Sequence, residues 1–210
     1  MKSTIALSAL ATLIPFITAA PAPATNQIYS LIAIHSGDQR VHQKPIVAAS
    51  TYLMLGDSVS VTVDCGPDND KVASCSKNSA TAIDFRTDGS AYLSSHEPVP
   101  QQVYVTSQGI LRYVAAHSDV VPGLGGDGSQ APYTNQFSLE ALGSPNSGST
   151  DNARVIFSSE DAGSWLACPS GDNYQVYANL TSSIHPPDNC IGFDMVAEPI
   201  DASSADAFSY

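Results

Sequence analysis

The sequence predicts an all-β protein: a single compact domain of about 10–12 short strands. Short segments with alternating apolar residues recur along the chain, and clusters of Gly, Asp, Ser and Asn separate them. No segment places apolar residues at i, i+3, i+4 and i+7 over three turns, as an amphipathic helix would. Recurrent short hairpins favour a β-trefoil-like arrangement. A two-sheet β-sandwich predicts much the same pattern and is the alternative.

The strands are assigned in chain order from this alternation and from the turn residues. "IYSLIAIHS" begins the domain at Ile28, and "TYLMLGDSVSVTVDC" follows it. "AIDFRTDGSAYLSS" contains Asp88-Gly89, a strong hairpin signal because both residues tolerate a positive φ. "QVYVTSQGILRYVA" has the same form, with Gly109 at its turn. "ARVIFSSEDAGSWLAC" and "YQVYANL" supply further strands, and "CIGFDMVAE" closes the domain.

The beginning of the chain has the features of a secretory signal peptide. Lys2 gives a basic start, an apolar run covers 5–17, and small residues follow. Cleavage is expected after Ala19, because Pro21 would obstruct cutting one residue later. The predicted organisation is a signal peptide at 1–19, a disordered lead at 20–27, a β domain at 28–200 and a flexible C-terminal tail at 201–210.

The charge of the chain argues against two classes of partner. The formal net charge is −12 at pH 7, and basic residues do not cluster anywhere in the sequence. Such a surface repels phosphate backbones and anionic lipid, so we expect neither nucleic acid nor membrane as a partner. No membrane anchor is expected either, because the apolar run at 5–17 is too short for a span and the ending "DASSADAFSY" is not hydrophobic.

The four cysteines are Cys65, Cys75, Cys168 and Cys190. An even number in an exported protein predicts two disulfides, for which three pairings are possible. Proximity in the sequence favours Cys65–Cys75 and Cys168–Cys190. Zinc binding by the cysteines is the weaker hypothesis, because the sequence has no C-x-x-C pair. We expect neither a metal nor another cofactor.

Asn179 is the candidate glycosylation site. It begins Asn-Leu-Thr, an N-glycosylation sequon, at the end of a predicted strand. A position at a strand end is compatible with surface exposure, so the sequence predicts a glycoprotein.

The sequence offers no catalytic constellation, and we expect a protein that is not an enzyme. The G-x-G-x-x-G spacing at 123–128 lies in a loop, with no predicted strand before it and no helix behind it. The G-x-S-x-G elbow of serine hydrolases does not occur. Acidic residues mostly fall in predicted turns, where they are ordinary.

Exposed aromatic residues are the candidates for binding sugar. A Tyr or Trp ring offers a flat apolar face and a polar edge, which suits stacking against a saccharide. Trp165, Tyr174 and Tyr133 are the candidate glycan-binding residues. The competing interpretation is that such residues belong to strands and are partly buried.

Three segments resemble a known family. "QQVYVTSQGILRYVAAHS" (101–118) is similar to G-G-Q-Q-V-Y-V-x-x-x-G-x-L-x-[FY]-T-x-A-H-S. "WLACPSGDNYQVYANL" is similar to a W/F-x-A-C-P…W-Q-V-[FY]-A segment, and "CIGFDMVAE" to C-[IL]-G-F-D-A-x-A. The chain thereby resembles the phiA-like family of fungal cell wall proteins. Val99-Pro100 replaces the Gly-Gly of the pattern, and Val114 replaces a Thr.

This resemblance implies a secreted, non-enzymatic protein of the fungal cell wall or cell surface. Proteins of the family are linked to phialide and conidium development, and some are allergens. Cell wall polysaccharide is the expected partner, while His117 falls within a structural signature and is read as a turn residue. A secreted carbohydrate-binding module, lectin- or effector-like, is the alternative, and a wall-modifying glycoside hydrolase is the third reading.

Overall fold

The computed structural model describes residues 27–62, 81–95, 99–118, 120–123, 131–142, 152–158, 162–180 and 186–201. Within these ranges the protein has twelve strands and no helix, which confirms the all-β prediction. The strands are β1 (Ile28–Ile34), β2 (Lys44–Ala49), β3 (Tyr52–Leu55), β4 (Ile83–Phe85), β5 (Ala91–Leu93), β6 (Gln102–Val105), β7 (Leu111–Tyr113), β8 (Phe137–Ala141), β9 (Ala153–Phe157), β10 (Ala162–Ser170), β11 (Asn173–Leu180) and β12 (Ile191–Ile200).

The strands pair antiparallel and close into two rings. One ring runs β1–β2–β3–β11–β10–β12 and returns to β1. The other runs β1–β4–β5–β6–β7–β3–β2 and also returns to β1. Both rings share β1, β2 and β3, while β9 and β8 extend outward from β12. The trefoil arrangement stays a prediction, since these pairings define two rings and do not single out a threefold repeat.

The pairing of β1 with β12 joins the first and last strands. It extends from Ile28 opposite Ile200 to Ile34 opposite Asp194 without a register shift. Tyr29, Leu31 and Ala33 point inward from β1 and are buried, while the residues between them are partly exposed. This alternation is the period-two pattern of the sequence, and it directs one face of β1 into the core.

A cluster of aromatic rings fills part of the core. Phe137 and Phe157 face each other across β8 and β9, with ring centroids 5.5 Å apart. Trp165 stacks on Phe137 at 6.5 Å with an interplanar angle of 3°, and lies 5.9 Å from Phe157. Tyr133 meets the Phe157 ring edge-on at 5.8 Å. Such offset and edge-to-face contacts add roughly 0.5–1.5 kcal/mol per pair to the burial of the rings.

Two predicted hairpin turns have the same hydrogen-bond geometry. In the β4–β5 turn, the Arg86 N–H donates to Ser90 O (2.8 Å) and the Gly89 N–H to Arg86 O (3.1 Å). In the β6–β7 turn the equivalent bonds run from Thr106 to Ile110 O and from Gly109 to Thr106 O. Gly89 and Gly109 both have a positive φ, at 83° and 87°. This is the pattern of a three-residue loop that ends in a left-handed glycine.

A disulfide fixes the end of the β10–β11 hairpin. Cys168 is bonded to Cys190, which precedes β12, with an S–S distance of 2.04 Å. The Cys168–Cys190 pairing favoured by sequence proximity is thereby confirmed. Cys65 and Cys75, together with the signal peptide and most of the C-terminal tail, lie outside the described residues.

Replacing Gly109 with Ala should destabilise the fold more than the same change at Gly171. A Cβ at Gly109 would lie 2.6 Å from the Ala178 carbonyl oxygen, whereas one at Gly171 meets nothing within 4 Å. Both residues have a positive φ, at 87° and 60°. The shared backbone strain costs about 1–2 kcal/mol, and the collision should bring Gly109→Ala to about 3 kcal/mol or more. Equal losses of unfolding free energy in urea would contradict this difference.

Removing the described disulfide should lower stability substantially. Its two cysteines are 22 residues apart in sequence. For the paired Cys168→Ser and Cys190→Ser variant, closing a loop of this size corresponds to about 3 kcal/mol of unfolding free energy in the chain-entropy model. Urea denaturation followed by circular dichroism measures the difference. A loss below about 1 kcal/mol would show that this bond contributes little to the fold.

Candidate functional site

One face of the sheet carries aromatic and cationic side chains away from the core. Residues opposite each other on neighbouring strands project to the same side. The register pairs Tyr92 with Gln102, Tyr104 with Arg112, and Arg112 with Tyr52. We call these five residues the outer face. They lie on β5, β6, β7 and β3, so the sheet collects side chains that are far apart in the sequence.

A short segment after β7 covers the middle of the outer face. Tyr104 is 1% exposed and packs with Val114 and Val121 in a small cluster separate from the main core. His117 lies in this segment, in a turn closed by the Ser118 N–H on Ala115 O, and its φ is 61°. It is exposed. The structure thus places His117 in a turn, as the sequence predicted.

A groove of about 350 Å³ opens at the β4–β5 end of the outer face. Its walls combine a charged pair, an aromatic ring, hydroxyl groups and apolar side chains. The lining residues are Ile28, Asp84, Arg86, Tyr92, Leu93, Ser94, Ser95 and Pro100. Concave sites of mixed apolar and polar lining are where proteins commonly take small ligands.

Arg86 and Tyr92 form the centre of this groove. The guanidinium carbon of Arg86 lies 3.9 Å from the centroid of the Tyr92 ring. Its Nε donates to Asp84 Oδ2 at 3.4 Å, and the Arg86 and Asp84 side chains are 46% and 35% exposed. The guanidinium is therefore held over the ring while much of it stays open to solvent. Stacking of this kind contributes about 0.5–1 kcal/mol at an exposed site.

The β4–β5 turn holds Arg86 in position. Asp88 Oδ1 accepts hydrogen bonds from the Ser90 N–H (2.9 Å) and the Ser90 hydroxyl (2.6 Å). These bonds lower the pKa of Asp88 below its ordinary value, so its carboxylate remains ionised and bonded at neutral pH. The backbone on which Arg86 sits is consequently fixed at both ends of the turn.

Comparison with known proteins assigns most of the chain to one family. The model of the family described as PhiA-like secreted protein matches residues 29–210. The chain belongs to this PhiA-like family of secreted proteins. It is also 29% identical over 184 residues to an uncharacterized secreted protein of Arthroderma benhamiae, covering 85% of this chain and 83% of that protein. The search of solved structures returned no match.

Trp165 of this PhiA-like protein is a core residue and not a surface residue, and glycan binding by it stays a prediction. It is 5% exposed, and its indole N–H donates to Val155 O at 2.9 Å. A saccharide would have to displace the other rings of this aromatic cluster to reach the Trp165 ring. The sequence left burial as the competing interpretation, because the inward direction of Trp165 depends on pairing of β10 with β12, at Trp165 opposite Phe193.

Tyr133 and Tyr174 are partly exposed and lie in different surroundings. Tyr133 shares the neighbour Phe157 with Trp165, and its backbone bonds Val105 in both directions. Tyr174 lies at the other end of the β10–β11 hairpin, opposite Pro169, and its side chain interacts with Arg40. The structure therefore does not bring the three predicted residues into one site. Glycan binding by Tyr133 or Tyr174 stays a prediction.

Asn179 of this PhiA-like protein lies within β11 and is partly exposed. Its neighbours Ala178 and Leu180 point into the core. Since strand residues alternate, Asn179 points outward. Its glycosylation stays a prediction, and Thr181 of the sequon lies outside the described residues.

Arg86 and Arg112 are the candidate residues that sequence reasoning missed. Each occupies an outward position on a strand or at its turn, and each stacks on a tyrosine ring. The alternation in "LRY" and "AYL" indicates which residues point outward. It does not indicate which strand lies beside which, so the Arg–Tyr pairs could not be found from it.

In the described part of the chain, no three His, Cys, Asp or Glu side chains lie together as metal ligands would. The same residues contain no helix that is both long enough and apolar enough to cross a membrane.

The burial of Trp165 can be checked by intrinsic fluorescence. Trp165 is the single tryptophan of the chain, so the signal reports this residue alone. We expect emission shifted to the blue of free tryptophan and weak quenching by iodide, because the ring is enclosed. Added wall polysaccharide should leave the emission unchanged. Strong iodide quenching, of the kind given by urea-unfolded protein, would place the ring at the surface.

Proposed function

We propose that this protein is a non-enzymatic component of the fungal cell wall or cell surface that contacts wall polysaccharide through the β4–β5 groove. The observation that carries the proposal is the Arg86–Tyr92 stack beside Asp84. A sugar ring has apolar C–H faces and a rim of hydroxyls, and this groove offers partners for both. The resemblance of the chain to proteins needed for phialide and conidium development suggests a place in the wall of developing spores.

The polar groups of the groove suit hydroxyl recognition. Asp84 supplies acceptors, Arg86 supplies donors, and Ser94 and Ser95 are candidates for either role. Charge-assisted bonds of this type are about twice as strong as neutral ones, so few are needed to orient a sugar. Because Arg86 and Asp84 already contact each other, the donors and acceptors are partly preorganised.

The role proposed for this groove is binding and not hydrolysis. Glycosidases use two carboxyl groups about 5–10 Å apart, one on each side of the bond that breaks. Of the lining residues that the structure describes, Asp84 is the one carboxylate. A freely secreted lectin-like module would use the same groove, and retention in the wall distinguishes that alternative from a wall component.

The first experiment is retention of the mature protein on insoluble chitin, β-glucan and mannan, at low and high salt. We expect saturable retention on one polymer. Tyr92→Ala should weaken it about three- to tenfold, the equivalent of about 0.5–1.5 kcal/mol for an aromatic contact. Arg86→Gln should also weaken it.

Arg154→Gln is the matched control for Arg86→Gln. Arg154 lies on β9, is 41% exposed and, like Arg86, contacts carboxylates, here those of Glu140 and Asp194. Equal retention of all variants, or no retention on any polymer, would remove the groove from the proposal. Release of soluble sugar from any polymer would refute the non-enzymatic assignment.

A further inference from the structure

Among the described residues, the groups that hold Arg112 are neutral. Its guanidinium carbon lies 4.5 Å from the centroid of the Tyr52 ring. Its Nη2 donates to Thr51 Oγ1 at 2.7 Å. On the other side, β6 places Tyr104 directly opposite it. These contacts fix the position and the plane of the cation without supplying a negative charge.

The other three arginines all have carboxylate partners. Arg40 contacts Asp38, Arg86 contacts Asp84, and Arg154 contacts Glu140 and Asp194. The chain has 20 acidic residues against 8 lysines and arginines, so acidic partners are abundant. Among the residues that the structure describes, however, none of these carboxylates lies within ion-pair distance of Arg112.

Part of the Arg112 guanidinium is also shielded from water. Its Nε is enclosed and has no hydrogen-bond acceptor among the described residues, although the side chain as a whole is partly exposed. Withdrawing part of a cation from water without a counter-ion is unfavourable, and stacking on one ring offsets only part of that cost. An anion bound at the exposed part of the guanidinium would remove the imbalance.

The neighbouring tyrosines cannot serve as that anion. Burial raises the pKa of Tyr104 and that of Tyr177 above the ordinary value for a phenol. Both hydroxyls are therefore neutral at the pH of a cell wall or of the extracellular medium. These two residues therefore do not compensate the charge of Arg112.

The turn before β3 has a strained backbone at Thr51, the residue whose hydroxyl accepts a hydrogen bond from Arg112. Ser50 and Thr51 join β2 to β3 with φ values of 51° and 70°, a region where a β-branched residue is a genuine outlier. A glycine or asparagine would suit this turn better. The turn is held by the Tyr113 N–H on Thr51 O and by Arg112 on the Thr51 hydroxyl. The strain is thus maintained at the residue that orients the guanidinium.

Beside Arg112 the sheet presents aromatic and amide groups. Tyr177 bridges Ile110, two residues before Arg112, and it interacts electrostatically with Tyr52. The Tyr177 hydroxyl donates to Gln175 Oε1 at 3.3 Å. Tyr52, Tyr177 and Gln175 are all partly exposed. Two rings and a carboxamide next to a cation are suited to a ligand that has hydroxyls, C–H faces and one negative charge.

We propose that Arg112, Tyr52 and Tyr177 form a binding subsite for a sugar that carries a carboxylate, that is, a uronic acid. Arg112, whose side chain is partly exposed, binds the carboxylate through its guanidinium, and the tyrosines contact the ring of the sugar. This Arg112 subsite is independent of the β4–β5 groove. Arg112 lies two strands across and two residues along the sheet from Tyr92, or roughly 12 Å at the usual spacings of strands and residues.

The test compares glucuronate with glucose, which differ in the carboxylate. Calorimetric titration of the full mature protein should detect glucuronate binding, and glucose should bind at least about tenfold more weakly. Glucuronate affinity should fall as salt is raised, because the pair is partly exposed. Equal affinity for the two sugars, or no binding of glucuronate at millimolar concentration, overturns the proposal.

Variants of Arg112 assign the binding to this residue. Arg112→Gln should lose about tenfold or more in glucuronate affinity, and Arg112→Lys should fall between it and the native protein, since Lys retains the charge but not the planar fork. Arg154→Gln should bind as the native protein does. If Arg112→Gln binds glucuronate unchanged, the subsite is elsewhere and the proposal fails.

Two further measurements do not depend on the stability of these variants. In NMR spectra of the native protein, glucuronate should shift the ring signals of Tyr52 and Tyr177 and leave those of Tyr29 in place. Shifts confined to other tyrosines would refute the site. Inorganic phosphate serves as the probe for a general anion site. If phosphate binds as tightly as glucuronate, the assignment to a sugar is wrong.

Discussion

The antiparallel pairing of β1 with β12 is the interaction on which the rest of the fold depends. It closes the first ring, and β1 also starts the second ring through β2 and β4. Because the two strands come from opposite ends of the described chain, the first ring is complete only when nearly all of it is present, whereas the second ring uses β1 to β7 alone. Pairing of such distant segments must overcome loop-closure entropy, which slows the folding of proteins built from non-local strand pairs.

Closing the rings also decides which side chains remain outside. On β7, Leu111 and Tyr113 point into the core, and Arg112 between them points away. The same alternation on β3 and β5 turns Tyr52 and Tyr92 outward. Two Arg–Tyr stacks thus lie on one face because the register of the ring brings their strands together. The groove and the Arg112 subsite are both consequences of that register.

Local features of the fold could be predicted from the sequence, and features that depend on strand pairing could not. Glycines at 89 and 109 determine their turns through their own φ, and Cys168 lies near Cys190 in the sequence as well as in space. The direction of Trp165 depends on β9 and β12, which the sequence does not place beside it. Likewise, the alternation around Arg112 predicts an outward side chain but leaves unknown that Tyr52 receives it. Residue type alone suggested Trp165 as a residue that stacks against sugar at the surface.

The arrangement of β8 has a consequence for digestion by extracellular proteases. Such enzymes take their substrates as extended segments, and a strand bonded on both sides must first separate from its neighbours. Strands within the two rings meet that condition, whereas β8 stands at the end of the order of described strands and pairs with β9, and its first residue, Phe137, also donates to Gly89 O. Its outward Glu140, 62% exposed, places a charge on the strand with the open edge and discourages the approach of another strand. Of the described strands, β8 is therefore the one that a protease can separate from its neighbours while the rings stay closed.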